Sequence, residues 1–373
     1  MELVVIGKKL DPRGSQELQY GLEQLLRRLP GTARREVTQA QDWHSLLAVA
    51  RTLADAAALP DEARILLLGH AHLMLAPGCL EALAAALDRG ASAAQGHDSA
   101  HPHAQHPPDY CTVRGMERYV QDMAAVPAVR GAADDGSALL TLTTAGALRR
   151  GNWQTTAVRV AQAFAHDFSG YHQGRREEVI PLVPAAARSV LDVGGGEGGF
   201  LQALKASLGC ETHLAEYSTD ACATAASRVD RVWPGDFHAT DFGRLFDCIT
   251  FLDVLEHTVS PLQWLQRARR LLNAGGSVVT SIPNVGHWSV VADLLEGRWD
   301  YAPAGIHCIT HLRFFTRHGI EDLMTEAGLR IVELQATRVE PPAWFDTSSL
   351  ARTLRLDADS LASYAFLLRA EPC

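Results

Sequence analysis

The sequence lacks the features that membrane and exported proteins need. Its longest apolar runs, at 65–68, 80–87 and 277–282, are far shorter than the roughly 18 residues that cross a bilayer. The chain starts MELVVIGKK, where the positive charge follows a short apolar stretch, the reverse of a signal peptide. We therefore expect a cytoplasmic protein with neither a leader nor a membrane span.

Basic runs and paired cysteines are also missing. The net charge is −9, from 34 Lys and Arg against 43 Asp and Glu, and nucleic-acid backbones require a basic footprint, so we expect no nucleic-acid partner. The seven cysteines are odd in number and include no C-x-x-C pair, which predicts reduced thiols. The apolar fraction of 47% and the charged fraction of 21% are ordinary for a globular chain and argue against disorder.

The length of 373 residues and a change in pattern predict two domains, at 1–150 and 151–373. The first alternates predicted strands at 3–7, 64–68 and 139–143 with predicted helices at 16–29, 43–59 and 77–89. A solvated loop is predicted at 95–110, where His97, His101, His103 and His106 lie among prolines, and 151–180 is predicted to be mainly helical. His-rich tracts can bind metal, but this spacing fits no defined site, so we predict none there.

The second domain shows a strict alternation of strands and helices. Strands are predicted at 189–193, 212–216, 230–233, 247–252, 276–282, 329–339 and 363–369. Five βα units and a terminal pair indicate an α/β fold, a doubly wound Rossmann-like seven-stranded sheet with an antiparallel last strand. The smaller α/β domain precedes it.

The strongest local signal is the segment VLDVGGGEGG at 190–199, where an apolar strand enters a glycine turn before a helix. Glycine allows the backbone to approach a ligand closely, and the helix N-terminus offers unpaired N–H groups. Gly194, Gly196 and Gly199 fit the dinucleotide pattern G-x-G-x-x-G, with Glu216 at a suitable distance beyond them. Two ligand classes therefore compete for this turn.

Asp192 decides between them. A carboxylate two residues before the first glycine would repel a pyrophosphate, at a cost of roughly 1–4 kcal/mol at about 4 Å. The same carboxylate favours a ligand that carries an ammonium group and no phosphate. S-adenosylmethionine (SAM) has an ammonium and a sulfonium, so we predict SAM as the cofactor.

Further cofactor-binding candidates follow the ends of three successive strands: Glu216 and Tyr217, Asp236 and Phe237, and Leu252 and Asp253. Glu216 can accept hydrogen bonds from both ribose hydroxyls, Asp236 can accept from the adenine amine, and Phe237 can cover the adenine ring. Each acid alone could be a helix cap or a surface charge. Their recurrence at strand ends favours a ligand site, because ligands bind at the carboxyl ends of strands in such sheets.

These residues resemble the class I SAM-dependent methyltransferases over roughly 160–373. The matching segments are LDVGGGEG at 191–198, Glu216, GDF at 235–237, DVLEH at 253–257 and LLNAGG at 271–276. The resemblance implies methyl transfer from SAM.

Four other segments resemble a narrower bacterial subgroup, found with polysaccharide or natural-product gene clusters and often fused to sugar-transferring domains. They are HDFSGYHQGR at 166–175, IPNVGH at 282–287, GRWDY at 297–301 and THLRFFT at 310–316. The subgroup usually has an Asp-containing stretch before THLR, whereas this chain has GIHCI at 305–309. The resemblance implies a small-molecule or sugar-linked acceptor.

The first domain resembles, more faintly, a family 2 glycosyltransferase domain through RILLLGHAHLMLAPGCLE at 64–81. That family holds a metal with a D-x-D pair, where this chain has GHAH at 69–72. Mg²⁺ and Mn²⁺ prefer carboxylate oxygen to imidazole. We therefore expect a degenerate relative, retained for docking, acceptor recognition or formation of a homodimer.

A hydroxyl acceptor must lose a proton when it is methylated, and a histidine with a pKa near ~6.5 suits that task. His257, His287 and His311 lie on segments expected at the pocket and are the candidate catalytic bases. The alternative is a structural role for His257 beneath the cofactor and a surface-loop position for the other two.

Five further residues are candidates around the same pocket. Arg313 could hold an anionic acceptor or simply cap a carbonyl, and Trp288 and Tyr301 could line the acceptor pocket or pack in the core. Tyr171 and Arg175 could close over the methionine end of SAM. The sequence thus predicts O-methylation. Three alternatives stay open: a SAM fold with non-methyl chemistry, a bifunctional glycosyl- and methyltransferase, and a non-catalytic SAM-binding scaffold.

Overall fold

A computed structural model describes residues 1–7, 20, 23–24, 27, 33–38, 40, 43–70, 72–99, 110–131, 139–151, 153, 156–168, 174–354 and 358–373. The chain divides into two compact units, Met1–Ser169 with Asp300–Ala304, and Gly170–Trp299 with Gly305–Cys373. Among the described residues, no helix has both the length and the apolarity to cross a bilayer. The predicted helix at 16–29 and most of the His-rich stretch fall largely outside the described residues.

The first unit is built around one mixed sheet. Its strands are β1 Leu3–Gly7, β2 Arg34–Thr38, β3 Arg64–Leu68, β4 Leu73–Leu75, β5 Ala93–Asp98, β6 Val129–Arg130, β7 Leu140–Thr144 and β8 Val158–Asp167. Its helices are α1 Trp43–Ala56, α2 Cys79–Asp88, α3 Val113–Asp122 and α4 Ala145–Arg150, with a 3₁₀ turn at Met123–Ala125. The strand order is β2-β1-β3-β7-β5-β8-β4, and β6 pairs with β8.

Two predictions in this unit are wrong. The loop predicted at 95–110 begins with strand β5, and His97 lies within that strand. The region 151–180, predicted to be mainly helical, contains strand β8, whose buried residues include Val160, Ala163 and Phe164. Because β8 pairs with β4 and β5, the first compact unit extends to Ser169, beyond the boundary predicted at residue 150.

The second unit contains a seven-stranded sheet. Its strands are β9 Ser189–Val193, β10 Glu211–Glu216, β11 Arg231–Pro234, β12 Phe246–Leu252, β13 Leu272–Pro283, β14 Leu329–Arg338 and β15 Ser363–Pro372. Its helices are α5 Gly199–Leu208, α6 Thr219–Ala225, α7 Pro261–Arg270, α8 Trp288–Leu295, α9 Arg317–Glu326, α10 Thr347–Leu354 and α11 Ala358–Ala362, with 3₁₀ turns at Glu177–Leu182 and Leu255–His257.

The order of this sheet is β11-β10-β9-β12-β13-β15-β14, and only β15 runs antiparallel to its neighbours. The order reverses between β9 and β12, which is where a doubly wound sheet opens a ligand crevice at its carboxyl edge. The predicted α/β, Rossmann-like fold class is confirmed. Strands β9 and β12 read as nearly continuous apolar runs because both sheet faces are covered.

Candidate active site

The glycine turn leaves strand β9 and leads into helix α5. Gly194 and Gly196 have φ angles of 74° and 57°, in the left-handed region that glycine adopts without steric cost. A Cβ on Gly194 would lie 2.8 Å from Cγ2 of Val254, so the turn also requires the absence of a side chain there. The turn therefore requires glycine for two separate reasons: the positive φ angles and the lack of space for a Cβ.

Asp192 lies beneath this turn. It is 1% exposed, and its Oδ1 accepts a hydrogen bond from Oγ1 of Thr250 at 2.6 Å. Within the described part of the chain, its Oδ2 has no hydrogen-bond partner. Burial raises the pKa of Asp192 to about 7, against the lowering effect of the Thr250 hydrogen bond. A buried acid with an orphaned oxygen is suited to stabilise a cation, which fits SAM and does not fit a pyrophosphate.

Gly195 makes room for this carboxylate. A Cβ built on Gly195 would lie 2.0 Å from Oδ2 of Asp192, well inside van der Waals contact. We expect Gly195→Ala to displace the acid, to destabilise the protein by about 1–3 kcal/mol as overpacking does, and to weaken SAM binding at least tenfold. Calorimetric titration with SAM and thermal unfolding would measure both effects.

Gly319→Ala is the matched control for this variant. A Cβ on Gly319, in helix α9, would meet Oγ1 of Thr316 only at 3.7 Å, an ordinary contact. SAM affinity should be unchanged in the control. Equal SAM affinity in wild type and Gly195→Ala would contradict the role assigned to the space beneath the turn.

Glu216 ends strand β10 facing the glycine turn. Its Oε2 accepts from the backbone N–H of Gly196 at 2.9 Å, and its Oε1 accepts from the N–H of Ser218 at 2.8 Å. These bonds fix the carboxylate at the carboxyl edge and leave each oxygen a further lone pair. Tyr217, the next residue, is strongly exposed.

The two candidates after strand β11 differ from each other. Asp236 is exposed, with Oδ1 accepting from the N–H of His238, and its carboxylate lies where a ligand can reach it. Phe237 is 2% exposed and packs its ring against Phe251 and Trp264 in the core. The prediction that Phe237 covers adenine is therefore wrong for this structure, because a ring enclosed by its neighbours has no face left for a ligand.

Arg176, Asp253 and Ser281 form a polar network at the ends of strands β12 and β13. Arg176 donates through Nη1 to Asp253 and through Nη2 to Oγ of Ser281 at 2.9 Å, and that hydroxyl donates to Oδ1 of Asp253 at 2.6 Å. Arg176 and Asp253 have φ angles of 46° and 55°, which costs a non-glycine residue about 1–3 kcal/mol. Such strain clusters at functional sites, and here the network holds both residues in place.

The sequence selected the neighbouring Arg175, which the structure places in the solvent, paired with Glu177. Arg176 is the arginine that reaches the site. Adjacent arginines in an irregular segment carry no sequence signal that shows which of the two side chains points to the site. Tyr171 lies outside the described residues. Leu252 is half-buried and packs in the core beside strand β9.

Two of the three candidate histidines meet after strand β12. His257 and His311 have ring centroids 4.7 Å apart and nearly perpendicular planes. The backbone carbonyl of Glu256 accepts from the N–H groups of Leu312 and Arg313, which ties the distant THLR segment to this strand end. Nδ1 of His257 lies 3.0 Å from Thr310 Oγ1.

Burial sets the charge of this group. The carboxyl of Glu256 is buried, and burial raises its pKa well above the usual range, with the nearby Asp253 adding to the effect. Burial, with the neighbouring His257 adding to the effect, lowers the pKa of His311 to about 3. His311 is therefore a neutral imidazole at cellular pH.

The third histidine does not belong to this group. His287 is fully buried, caps helix α8, and has Nδ1 2.8 Å from Oγ of Ser289 and Nε2 3.3 Å from the carbonyl of Val339. Burial lowers the pKa of His287 to about 4. The prediction of a catalytic base at His287 is wrong in this structure, because both ring nitrogens are engaged in holding α8.

The acceptor candidates also take structural positions. Trp288 is buried, stacks near Phe345 and donates to the carbonyl of Val339, so it is a core residue. Arg313 donates to the carbonyls of Leu312 and Val259, which corresponds to the capping alternative. Tyr301 belongs to the first compact unit, where its carbonyl accepts from the Tyr20 hydroxyl.

In the first unit, His70 and His72 are the two imidazoles of the GHAH segment at 69–72. Both are buried, and Nε2 of His70 lies 3.6 Å from Oδ1 of Asp167. His72 packs its ring against Phe168. These contacts place the two imidazoles within the packing of the unit.

Comparison with known proteins agrees with the geometry of the second unit. The family model for the methyltransferase domain matches residues 165–334. The ubiquinone biosynthesis O-methyltransferase of Cereibacter sphaeroides is 28% identical over 178 residues, which cover 45% of this chain and 70% of that protein. The enzyme of the same name from Thiobacillus denitrificans is 27% identical over 199 residues, covering 50% and 81%. The solved CcbJ methyltransferase from Streptomyces caelestis matches with a TM-score of 0.39 at 19% identity, over 54% of this chain and 96% of that one.

The second unit therefore has the fold, the glycine turn and the buried acid of a methyl-transferring enzyme. The protein is a SAM-dependent methyltransferase, and its cofactor is SAM. Its curated relatives include O-methyltransferases.

Proposed function

We propose that this enzyme methylates a hydroxyl oxygen of a small-molecule or sugar-linked acceptor. The observation that carries the proposal is the ring contact of His311 with His257, which ends the 3₁₀ turn Leu255–His257 that follows Asp253. A neutral amine needs no base before it attacks a methyl group, whereas a hydroxyl does. The relatives named for O-methylation in ubiquinone biosynthesis support oxygen as the acceptor atom.

Each residue of the cofactor site binds a different part of SAM in this proposal. SAM, when bound, supplies a methyl group on a cationic sulfur. Asp192 supplies the buried negative charge, Glu216 supplies acceptor oxygens for the ribose hydroxyls, and Asp236 supplies an exposed acceptor for the adenine amine. Arg176 and Asp253 fix the strained carboxyl end of strand β12. Holding both reactants in place lowers the barrier by several kcal/mol in such displacements.

His257 takes the hydroxyl proton in this proposal. It is half-exposed at the strand end, whereas His311 is buried behind it and His287 is engaged elsewhere. Thr310 holds one ring nitrogen of His257 and thereby orients the imidazole. His311 packs edge-on against His257 and serves as its support.

We also propose that the first unit is a degenerate glycosyltransferase-like domain, used for docking, acceptor recognition or formation of a homodimer. The support is the GHAH segment after strand β3, whose two imidazoles are buried and whose positions lack the carboxylates that Mg²⁺ and Mn²⁺ prefer. Titration of the full chain with sugar nucleotides and Mn²⁺ should detect no metal-dependent binding. Such binding would favour the bifunctional alternative.

The function itself is tested by incubating the purified protein with SAM and a panel of phenols, catechols, sugar hydroxyl compounds and amines. We expect S-adenosylhomocysteine to form with a hydroxyl acceptor, whose mass rises by one methylene. Loss of SAM without S-adenosylhomocysteine would indicate other chemistry. SAM binding without turnover on any acceptor would favour the scaffold alternative, and methylation of amines alone would contradict the choice of oxygen.

A further inference from the structure

Glu256 and His311 carry buried side-chain atoms with unmet hydrogen-bonding capacity, and His257 lies beside them. Glu256 is 1% exposed, and among the described residues neither of its carboxylate oxygens has a hydrogen-bond partner. His311 is 5% exposed, and its Nε2 has no hydrogen-bond partner in the same part of the chain. This nitrogen lies 4.0 Å from Oε1 of Glu256. Buried polar atoms are paired in the great majority of cases, so adjacent unpaired atoms on an acid and an imidazole need an explanation.

The hydrogen bond on the other side of His311 determines which form of its ring is present. Nδ1 of His311 lies 2.9 Å from the carbonyl oxygen of Ile306, which can only accept, so Nδ1 carries the proton. Nε2 therefore keeps a lone pair, 4.0 Å from Oε1 of Glu256. Histidines that bind metals nearly always donate their other N–H to a carbonyl or carboxylate in this manner.

We propose that Glu256, His257 and His311 bind one divalent transition-metal ion. One ligand atom from each residue lies within 4.8 Å of the others. Two imidazoles and one carboxylate form a ligand set used by catalytic zinc sites, which leave a fourth position open. Tetrahedral zinc ligands lie about 3.3 Å apart, so the ligand atoms of Glu256 and His311, now 4.0 Å apart, would have to approach by roughly 0.7 Å, and a pair at the 4.8 Å limit by roughly 1.5 Å. Nitrogen ligands make Zn²⁺, Fe²⁺ or Co²⁺ a better fit than Mg²⁺.

The ion would occupy the end of strand β12, where the acceptor hydroxyl is proposed to lie. A divalent ion lowers the pKa of an oxygen that coordinates it, so the open position suits a hydroxyl that must lose its proton. In that case the ion would lower the pKa of the hydroxyl, the proton would leave to solvent water, and His257 would be a metal ligand and not the base. This consequence rests on the proposed function, whereas binding of the ion does not.

The test uses the full chain, stripped with a chelator and titrated with Co²⁺ while its visible absorption is recorded. We expect one Co²⁺ per chain with the spectrum of nitrogen and oxygen ligation. Zn²⁺ should displace it and raise the thermal unfolding midpoint in proportion to its affinity. Glu256→Gln and His311→Gln should each weaken binding at least tenfold. His318→Gln is the control, because that imidazole is 84% exposed on helix α9 and should contribute nothing.

Three results would overturn the site. They are a wild type that binds no Co²⁺, Glu256→Gln and His311→Gln proteins that both bind Co²⁺ as tightly as the wild type, and a spectrum that contains a thiolate-to-cobalt absorption band. The last would point to a cysteine such as Cys308, whose sulfur lies 3.2 Å from Oγ1 of Thr310. If the two buried variants do not fold, His257→Gln, at a half-exposed position, takes their place in the titration. Methyl transfer is assayed separately, so metal binding without turnover refutes the proposed function alone, and turnover by metal-free protein refutes the ion's role alone.

Discussion

Asp192→Asn should weaken SAM binding by about 10–100-fold. The variant keeps the size of the side chain and removes the charge that a cationic ligand requires. Interactions with a charged group contribute about 1.5–3 kcal/mol, which corresponds to that range of affinity. Titration calorimetry of wild type and variant with SAM measures the difference. Equal affinities would contradict the electrostatic basis of the cofactor assignment.

The same acid predicts how affinity depends on pH. Because the pKa of Asp192 is about 7 without ligand, the carboxyl is protonated at pH 5.5 and binds a cation poorly. Wild-type affinity should therefore rise between about pH 5.5 and pH 7, with release of a proton on binding. The α-amino group of SAM titrates at about pH 7.7–8.0, above this window. The Asp192→Asn protein should show no such rise, and Thr250→Val should shift it to higher pH.

Protein stability provides a control for this experiment. The pKa of Asp192 in the folded state lies above the unfolded value of about 3.9, so the folded protein binds more protons between the two pKa values. The contribution of the acid to the free energy of unfolding therefore falls as pH rises from about 4 to about 7. Asp192→Asn should be at least as stable as wild type at pH 8. A loss of SAM affinity there cannot then be attributed to unfolding.

His257→Gln should lower kcat by about 10²–10⁴-fold, the usual contribution of a general base. SAM affinity should change less than about twofold, since His257 contacts Thr310 and His311, which lie outside the glycine turn. Steady-state formation of S-adenosylhomocysteine with the best hydroxyl acceptor gives kcat and KM, and calorimetry gives the SAM affinity.

The matched control for His257→Gln is His318→Gln, which changes an exposed histidine far from the strand end in sequence. Thr310→Val removes the hydroxyl that orients His257 and should lower kcat by a smaller factor. A His257→Gln protein with more than half of the wild-type kcat would exclude His257 as the general base. If kcat does fall, the Co²⁺ titration distinguishes a general base at His257 from a metal ligand there.

Local sequence was sufficient to predict the strands of the second unit. Each predicted strand there has a counterpart in the sheet, and 189–193 matches strand β9 at both ends. Buried parallel strands have short apolar runs that stop at turn residues, and the helices between them begin at signals such as Pro261. The glycine turn, Asp192 and Glu216 were found for the same reason, because each lies next to a strand end.

Side-chain direction was the main source of error at the site. Phe237 and His287 follow strands at the correct edge, but their side chains turn into the core. Arg176 reaches the network that Arg175 does not. Glu256 and His257 are neighbours in the chain, whereas His311 comes from a segment beyond helix α8 that backbone hydrogen bonds bring to the same strand end. No periodicity in the sequence predicts the contact between His311 and the end of strand β12.

The sequence alone determined the order of strands in the second unit, the glycine turn and the acid below it, because each depends on neighbouring residues. Tertiary structure decided which histidines meet, which arginine contacts Asp253, and how deeply Asp192 and Glu256 are buried. Burial and proximity are produced by long-range packing, and the pKa values and ligand-binding capacity of these groups follow from that packing.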